Sequence, residues 1–173
     1  MKRKVSGTVM LIVITIVITS TTSAVAGGNG RPKGSWIPEE YVKYCEEIGY
    51  KYHVSPELLE AIIEHESAGQ RRAYNSAYSC TGLMQINPSA HRDRMRRLGV
   101  TDLYNAKQNI TVGADYLLEL FRTCEGDVYW VLMRYHGERH VKDKALSGNY
   151  SSYARSIVNR AYDLEEAHGK HNY

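Results

Sequence analysis

Ser55-Pro56-Glu57-Leu58-Leu59-Glu60-Ala61-Ile62-Ile63-Glu64-His65-Glu66-Ser67, joined through a polar loop to Gly82-Leu83-Met84-Gln85-Ile86, decides how this 173-residue chain folds. Ser55 can accept from the unpaired N–H groups of a helix start, and Pro56 suits the first helical position because its missing N–H has no partner there. Leu59, Ile62 and Ile63 fall at i, i+3 and i+4 of one helical stripe, and the i+7 position of that stripe is Glu66. Glu57, Glu60 and Glu64 repeat at the same spacing and are expected on a polar, solvated face. Only Glu66 is expected to face inward. A desolvated carboxyl favours its neutral form, and a carboxyl protonated near neutral pH can give a proton to a leaving group. The spacing equally fits a solvated residue at a frayed helix end.

Upstream, Lys2-Arg3-Lys4 precede an apolar run from Val9 to Ile18, followed by Ser/Thr and then Ala24-Val25-Ala26. A basic start, a short apolar core and small residues at an A-x-A site predict a secretory signal peptide over residues 1–26, cleaved after Ala26. The run is short of the roughly 20 apolar residues of a spanning helix; left uncleaved, it would anchor the chain in a membrane. Residues 27–36, rich in Gly with one Pro, read as a flexible linker.

The formal charge of +3 belongs to that first segment. Lys2, Arg3 and Lys4 are the whole excess of 22 Lys+Arg over 19 Asp+Glu, so the remainder is neutral. That excludes a general nucleic-acid binder, which needs a large basic excess. The cluster Arg92, Arg94, Arg96, Arg97 reads as a solvated helical face. The remaining chain suits one domain with a real core, without internal repeats, and is expected to act as a monomer.

Cys45, Cys80 and Cys124 allow one disulfide in any of three pairings, or three thiols. His65-Glu66 begins like the H-E-x-x-H zinc motif, but position 69 is Gly. His168 and His171 form only an H-x-x-H spacing in a polar tail. Neither metal nor cofactor is expected.

The rest of the pattern is helical. Pro38 opens a helix to about Gly49 with Tyr41, Cys45 and Ile48 inward; residues 69–81 read as a loop; Gly82–Ile86 reads as a small strand or buried turn. A short basic helix runs to about Leu98. Ile110, Ala114, Leu117, Leu118 and Phe121 mark a core helix, with Gly113 beside the stripe where a neighbour could approach closely. Gly126-Asp127 caps a helix carrying Val128, Val131, Leu132 and Tyr135, ended by Gly137. A last helix spans about Ser151 to Ala167. The expected class is mainly α, with one small β element near residues 82–86. Fourteen tyrosines against one phenylalanine suit a cleft that binds sugars, since tyrosine has an apolar face and a polar tip.

Glu66-Ser67, then Ser76, then Gly82-Leu83-Met84-Gln85-Ile86 resembles the signature of the soluble lytic transglycosylases and their goose-type lysozyme relatives. Asn109-Ile110, Gly113 and Tyr116-Leu117 are similar to that family's Asn-Ile…Gly…Tyr-Leu helix, and the resemblance extends over about Ile37 to Ile157. It departs at Arg134-Tyr135-His136-Gly137-Glu138, where the family usually has Ala-Tyr-Asn-Ala-Gly, and at Ser79-Cys80, where a Gly-Ala pair is usual. The resemblance implies a lysozyme-like transglycosylase domain over residues 37–168, followed by a tail at 169–173. It implies action on peptidoglycan glycan strands, cutting the β-1,4 bond between N-acetylmuramic acid and N-acetylglucosamine. Glu66 would be the single acid and base. Tyr135 would hydrogen-bond and orient that acid, and Ser76, Met84, Gln85, Tyr116, His136 and Tyr153 would meet substrate. The implied setting is the cell envelope, periplasmic or extracellular, where such an enzyme can serve wall remodelling or an envelope-spanning machine.

Two other functions fit the same residues. A muramidase would hydrolyse the bond with water, and inversion would need a base carboxylate about 6.5–9.5 Å from the acid; Glu138, Asp102 and Asp93 are the candidates. A non-catalytic glycan-binding or assembly protein is suggested only by His136 and Glu138 in the altered motif.

Overall fold

In a computed structural model that describes residues 34–170, the stretch from Ser55 folds as the second helix of the chain. Helix α1 spans Glu39–Tyr52 and α2 spans Pro56–Ser67. The Ser55 hydroxyl accepts from Leu58 N at 3.3 Å, and Pro56 occupies the first turn. After the helix come strands β1 (Tyr74–Asn75) and β2 (Cys80–Thr81), then helices α3 (Arg92–Leu98), α4 (Ala106–Thr123), α5 (Val128–Tyr135), α6 (Val141–Leu146) and α7 (Ser152–Ala167). The signal peptide, most of the linker and the last three residues of the tail lie outside the described residues. No helix among the described residues is long and apolar enough to cross a membrane.

Helix α2 lies at the centre, between α1 and α7, and every residue from Pro56 to Glu64 is buried. The solvated face expected for Glu57, Glu60 and Glu64 does not exist, because α7 and the segment before α1 cover it. Glu64 accepts from Arg160 Nε at 2.6 Å and Trp36 N at 3.2 Å, and Arg160 also donates to Gly34 O at 2.8 Å. Lys170 Nζ lies 2.5 Å from Glu57 Oε1. The described ends of the expected linker and tail are therefore packed on the fold. An amphipathic pattern tells which face prefers water, but a long cationic side chain on a neighbour can satisfy a carboxylate inside.

The small β element is a hairpin with Tyr74 opposite Thr81 and Asn75 opposite Cys80, within the stretch expected as loop. Gly82–Gln85 is a turn, and Ile86 returns to bridge Thr81. Two-residue strands are too short to display an alternating pattern. The buried Asn109 of α4 fixes this turn: its Oδ1 accepts from Met84 N at 2.8 Å, and its Nδ2 donates to Thr81 O and Leu103 O, both at 2.9 Å. Gly82 has φ +79°, and a Cβ there would strike the Asn109 amide and the Leu103 carbonyl. Gly113 makes room for the fully buried Met84, whose sulfur a Cβ would strike.

Asn105, Asp127 and Ser151 cap α4, α5 and α7, each accepting from the backbone N–H three residues on. The short α6 had no sequence signature; six residues hold too few turns for periodicity. Leu118, expected inward on α4, is half-buried. All three cysteines are thiols: Cys45 and Cys124 buried, Cys80 half-buried.

Candidate active site

The last turn of α2, the hairpin, the Gly82–Ile86 turn and the end of α5 enclose a cleft of about 490 Å³. Glu66 lines it from the last turn of α2, which ends at Ala68 in the left-handed conformation (φ 53°). Asn75, Tyr78 and Cys80 line one wall, Gln85 and Asn87 continue it, and Tyr135, His136 and Gly137 form the other. Among the described residues that line it, Glu66 is the one carboxylate.

Tyr153, in the first turn of α7, donates its hydroxyl to Glu66 Oε1 at 2.6 Å. This is the contact expected of Tyr135. The Tyr135 hydroxyl donates instead to the Met84 carbonyl at 2.7 Å, so it secures the turn rather than the carboxyl. The exchange follows from packing: α7 lies along α2 and delivers Tyr153 to the carboxyl, while Tyr135 enters from α5 toward the turn. Burial pushes both phenols well up, with the Glu66 charge adding to it, so each stays a donor. The His136 ring stacks on Tyr153 (centroids 4.0 Å apart, planes 10° apart), and His65 meets the same ring edge-on at 4.9 Å. Tyr153 is thus held on two sides.

The other expected contacts divide. Gln85 lines the cleft in the left-handed region (φ 47°), its amide donating to Gly82 O at 3.0 Å. His136 lines it too. Ser76 is exposed in the hairpin turn and does not line the cleft, whereas its neighbours Asn75 and Tyr78 do. Met84 has no exposed surface to offer a sugar, because Gly113 lets it sink into the core. Tyr116 stands behind Tyr135, at 5.6 Å between ring centroids, with the Arg94 guanidinium 4.9 Å over its ring; it does not line the cleft. Asn75, Tyr78 and Asn87 were absent from the sequence expectation. Their only signal was a polar loop with tyrosines beside the motif, and an Asn-Pro pair read as punctuation.

None of the candidate base carboxylates lines the cleft. Glu138 sits with Lys144 (3.2 Å) and His136 (3.7 Å); burial raises its carboxyl, but Ser151, Lys144 and His136 outweigh this and hold it below its ordinary value. Asp102 accepts from Tyr104 N in the turn before α4, and Asp93 pairs with Arg96 on α3. A carboxyl with one neutral donor, open to a cleft on its other side, can give a proton to a bound oxygen and take one back.

Comparisons with known proteins give the family and the fold. An endo-type membrane-bound lytic murein transglycosylase A from Klebsiella pneumoniae is 40% identical over 96 residues, 47% of this chain and 47% of the relative. A transglycosylase of Enterobacteria phage PRD1 is 37% identical over 99 residues, 56% of this chain and 35% of the relative. The chain thus spans about half the length of these relatives, or less. An inactive mutant of the lytic transglycosylase Slt from Pseudomonas aeruginosa shares the fold, with TM-score 0.66 and 18% identity over 77% of this chain and 25% of that one. The family model for the Transglycosylase SLT domain matches residues 43–157, and the chain belongs to that family.

Proposed function

We propose that this chain is a peptidoglycan lytic transglycosylase that cleaves the β-1,4 bond between N-acetylmuramic acid and N-acetylglucosamine, leaving a 1,6-anhydro-muramoyl end. One observation carries the reading: Glu66 is the one carboxylate lining the cleft among the described residues, and it is held by the Tyr153 phenol. In its protonated form Glu66 donates to the bridging oxygen as the bond from that oxygen to the muramoyl C1 breaks, and positive charge develops on the muramoyl ring. The carboxylate so formed then takes the proton of the muramoyl C6 hydroxyl, whose oxygen bonds to C1 and closes the anhydro ring. The proton lent is regained and no water is consumed. Tyr153 orients the acid and steadies the carboxylate between the two halves. His136 and Gln85 meet substrate along the walls, with Asn75, Tyr78 and Asn87 beside them.

The reading extends to a lysozyme-like catalytic domain over residues 37–168, acting as a monomer in the cell envelope after export by residues 1–26. Mass spectrometry of purified peptidoglycan digested with the protein tests the product. Anhydro-muramoyl ends are expected; reducing ends would make it a hydrolase. Glu66→Gln is expected to bind glycan strands without cutting them. Lysis by that variant at the wild-type rate would end the proposal.

A further inference from the structure

Glu57 and Glu60 stand one turn apart on the buried side of α2 and meet His168, which closes the C-terminus of α7. One ligand atom from each lies within 4.8 Å of the other two. His168 Nδ1 is already 3.0 Å from Glu57 Oε1. The other oxygen of Glu57 is oriented by the Ser55 hydroxyl at 3.0 Å, the kind of outer contact that aims a ligating carboxylate.

Glu60 is the anomaly. It has no exposed surface, and neither carboxyl oxygen has a hydrogen-bond partner among the described residues. Burial raises its proton affinity, countered only by the nearby Ser35 hydroxyl and His168. Protonation would remove the charge and still leave the carboxyl's bonds unmade, an arrangement native interiors rarely tolerate. A cation shared with Glu57 and His168 resolves it. The position already attracts positive charge, since the half-exposed Lys170 places its ammonium on Glu57 Oε1, where an incoming ion would displace it. The His168 edge is partly open and gives a way in.

We propose that Glu57, Glu60 and His168 bind one divalent transition-metal ion of the zinc type, which ties the end of α7 to α2. One imidazole and two carboxylates are a zinc-type donor set, with water completing four ligands from the open edge. Bonds of about 2.0–2.2 Å place tetrahedral ligand atoms about 3.4 Å apart, so no pair needs to shift by more than roughly 1.4 Å, which side-chain rotation supplies. The site is structural: Glu60 precedes Glu66 by six residues, about 9 Å along the helix.

The full exported protein, stripped with chelator and titrated with Zn²⁺, tests this. One equivalent is expected to bind, and at free Zn²⁺ near 100 times Kd the Tm should rise by about 5–10 °C. Glu60→Gln and His168→Asn should each abolish both responses while leaving glycan cleavage unchanged, and His171→Asn should keep them. No stoichiometric binding to the wild type, or a Tm rise that persists in Glu60→Gln and His168→Asn, would overturn the site. Loss of the response in His171→Asn alone would also overturn it, assigning the ion to the H-x-x-H pair of His168 and His171.

Discussion

Four glutamates on one helix have opposite surroundings on its two faces. Glu57 and Glu64 are buried among cations, the latter gripped by Arg160 at 2.6 and 3.0 Å, and Glu60 is buried without an ion pair to a Lys or Arg among the described residues. Glu66, two residues after Glu64, meets no cation in an ion pair among the described residues; its Oε1 takes one bond from a phenol, and the carboxyl borders a cleft. The difference lies in the partner. A guanidinium fixes a carboxylate as an ion, because protonation would strand a buried positive charge. A phenol tolerates both protonation states of its neighbour. In the proposed mechanism that lets Glu66 exchange a proton, while the opposite face of α2 is a fastening.

The contrast can be broken on either face. Glu66→Gln should reduce wall cleavage by about 10²–10⁴-fold or more, the usual worth of a positioned acid, with little change in Tm. If cleavage and stability fell together, Glu66 would belong with the fastening group. Arg160→Met should do the reverse. Leaving Glu64 buried without its partner costs about 3–5 kcal/mol, a fall of roughly 6–20 °C in Tm by thermal melting, with cleavage at low temperature largely kept.

Tyr153→Phe removes the bond to Glu66 and should lower kcat by about 10- to 150-fold, the equivalent of 1.5–3 kcal/mol for a bond to a charged group, with KM nearly constant. Tyr135→Phe should be milder. Losing the bond to Met84 O costs about 1 kcal/mol of stability, with a smaller fall in kcat than for Tyr153→Phe. Reversal of that order in steady-state assays would return the orienting role to Tyr135.

The smallest effects separate Glu57 from Glu60 by pH. Burial raises the Glu57 carboxyl, but Lys170 and His168 outweigh it and bring it below its ordinary value of 4.5. Its stabilisation is therefore full above about pH 5 and is lost as pH falls through the folded value. Glu57→Gln should melt below the wild type at neutral pH, with the gap closing in acid. Glu60 is raised by burial, so it weakens the fold as pH climbs past 4.5. Glu60→Gln should melt above the chelator-treated wild type at neutral pH, and that gap should also close in acid. Melting curves from pH 3 to 8 check both signs.

Much of this molecule was readable in advance, for local reasons. The caps at Ser55 and Asp127 and the stripes around Ile62 and Ile110 placed the main helices, since capping and 3.6-residue periodicity are properties of neighbouring residues. The ordered motifs from Glu66 to Tyr116 drew attention to a carboxyl and a turn that meet at one cleft. Where the reading failed, the deciding contact came from far along the chain. Tyr153 reaches Glu66 across 87 positions, Tyr135 reaches Met84 across 51, and Arg160 reaches Glu64 across 96. Asn109 was legible as a motif residue, but not as the clamp that shapes the Gly82–Ile86 turn.

The sequence by itself determined a helical chain, a neutral body behind a basic N-terminal segment, and one glutamate set apart from three by helical spacing. Tertiary structure decided what setting them apart meant. Periodicity assigns a side chain to a face of its own helix, and what covers that face depends on another helix. Here α7 covers the three glutamates and lends a phenol to the fourth, and that placement makes three of them interior and leaves one beside open space.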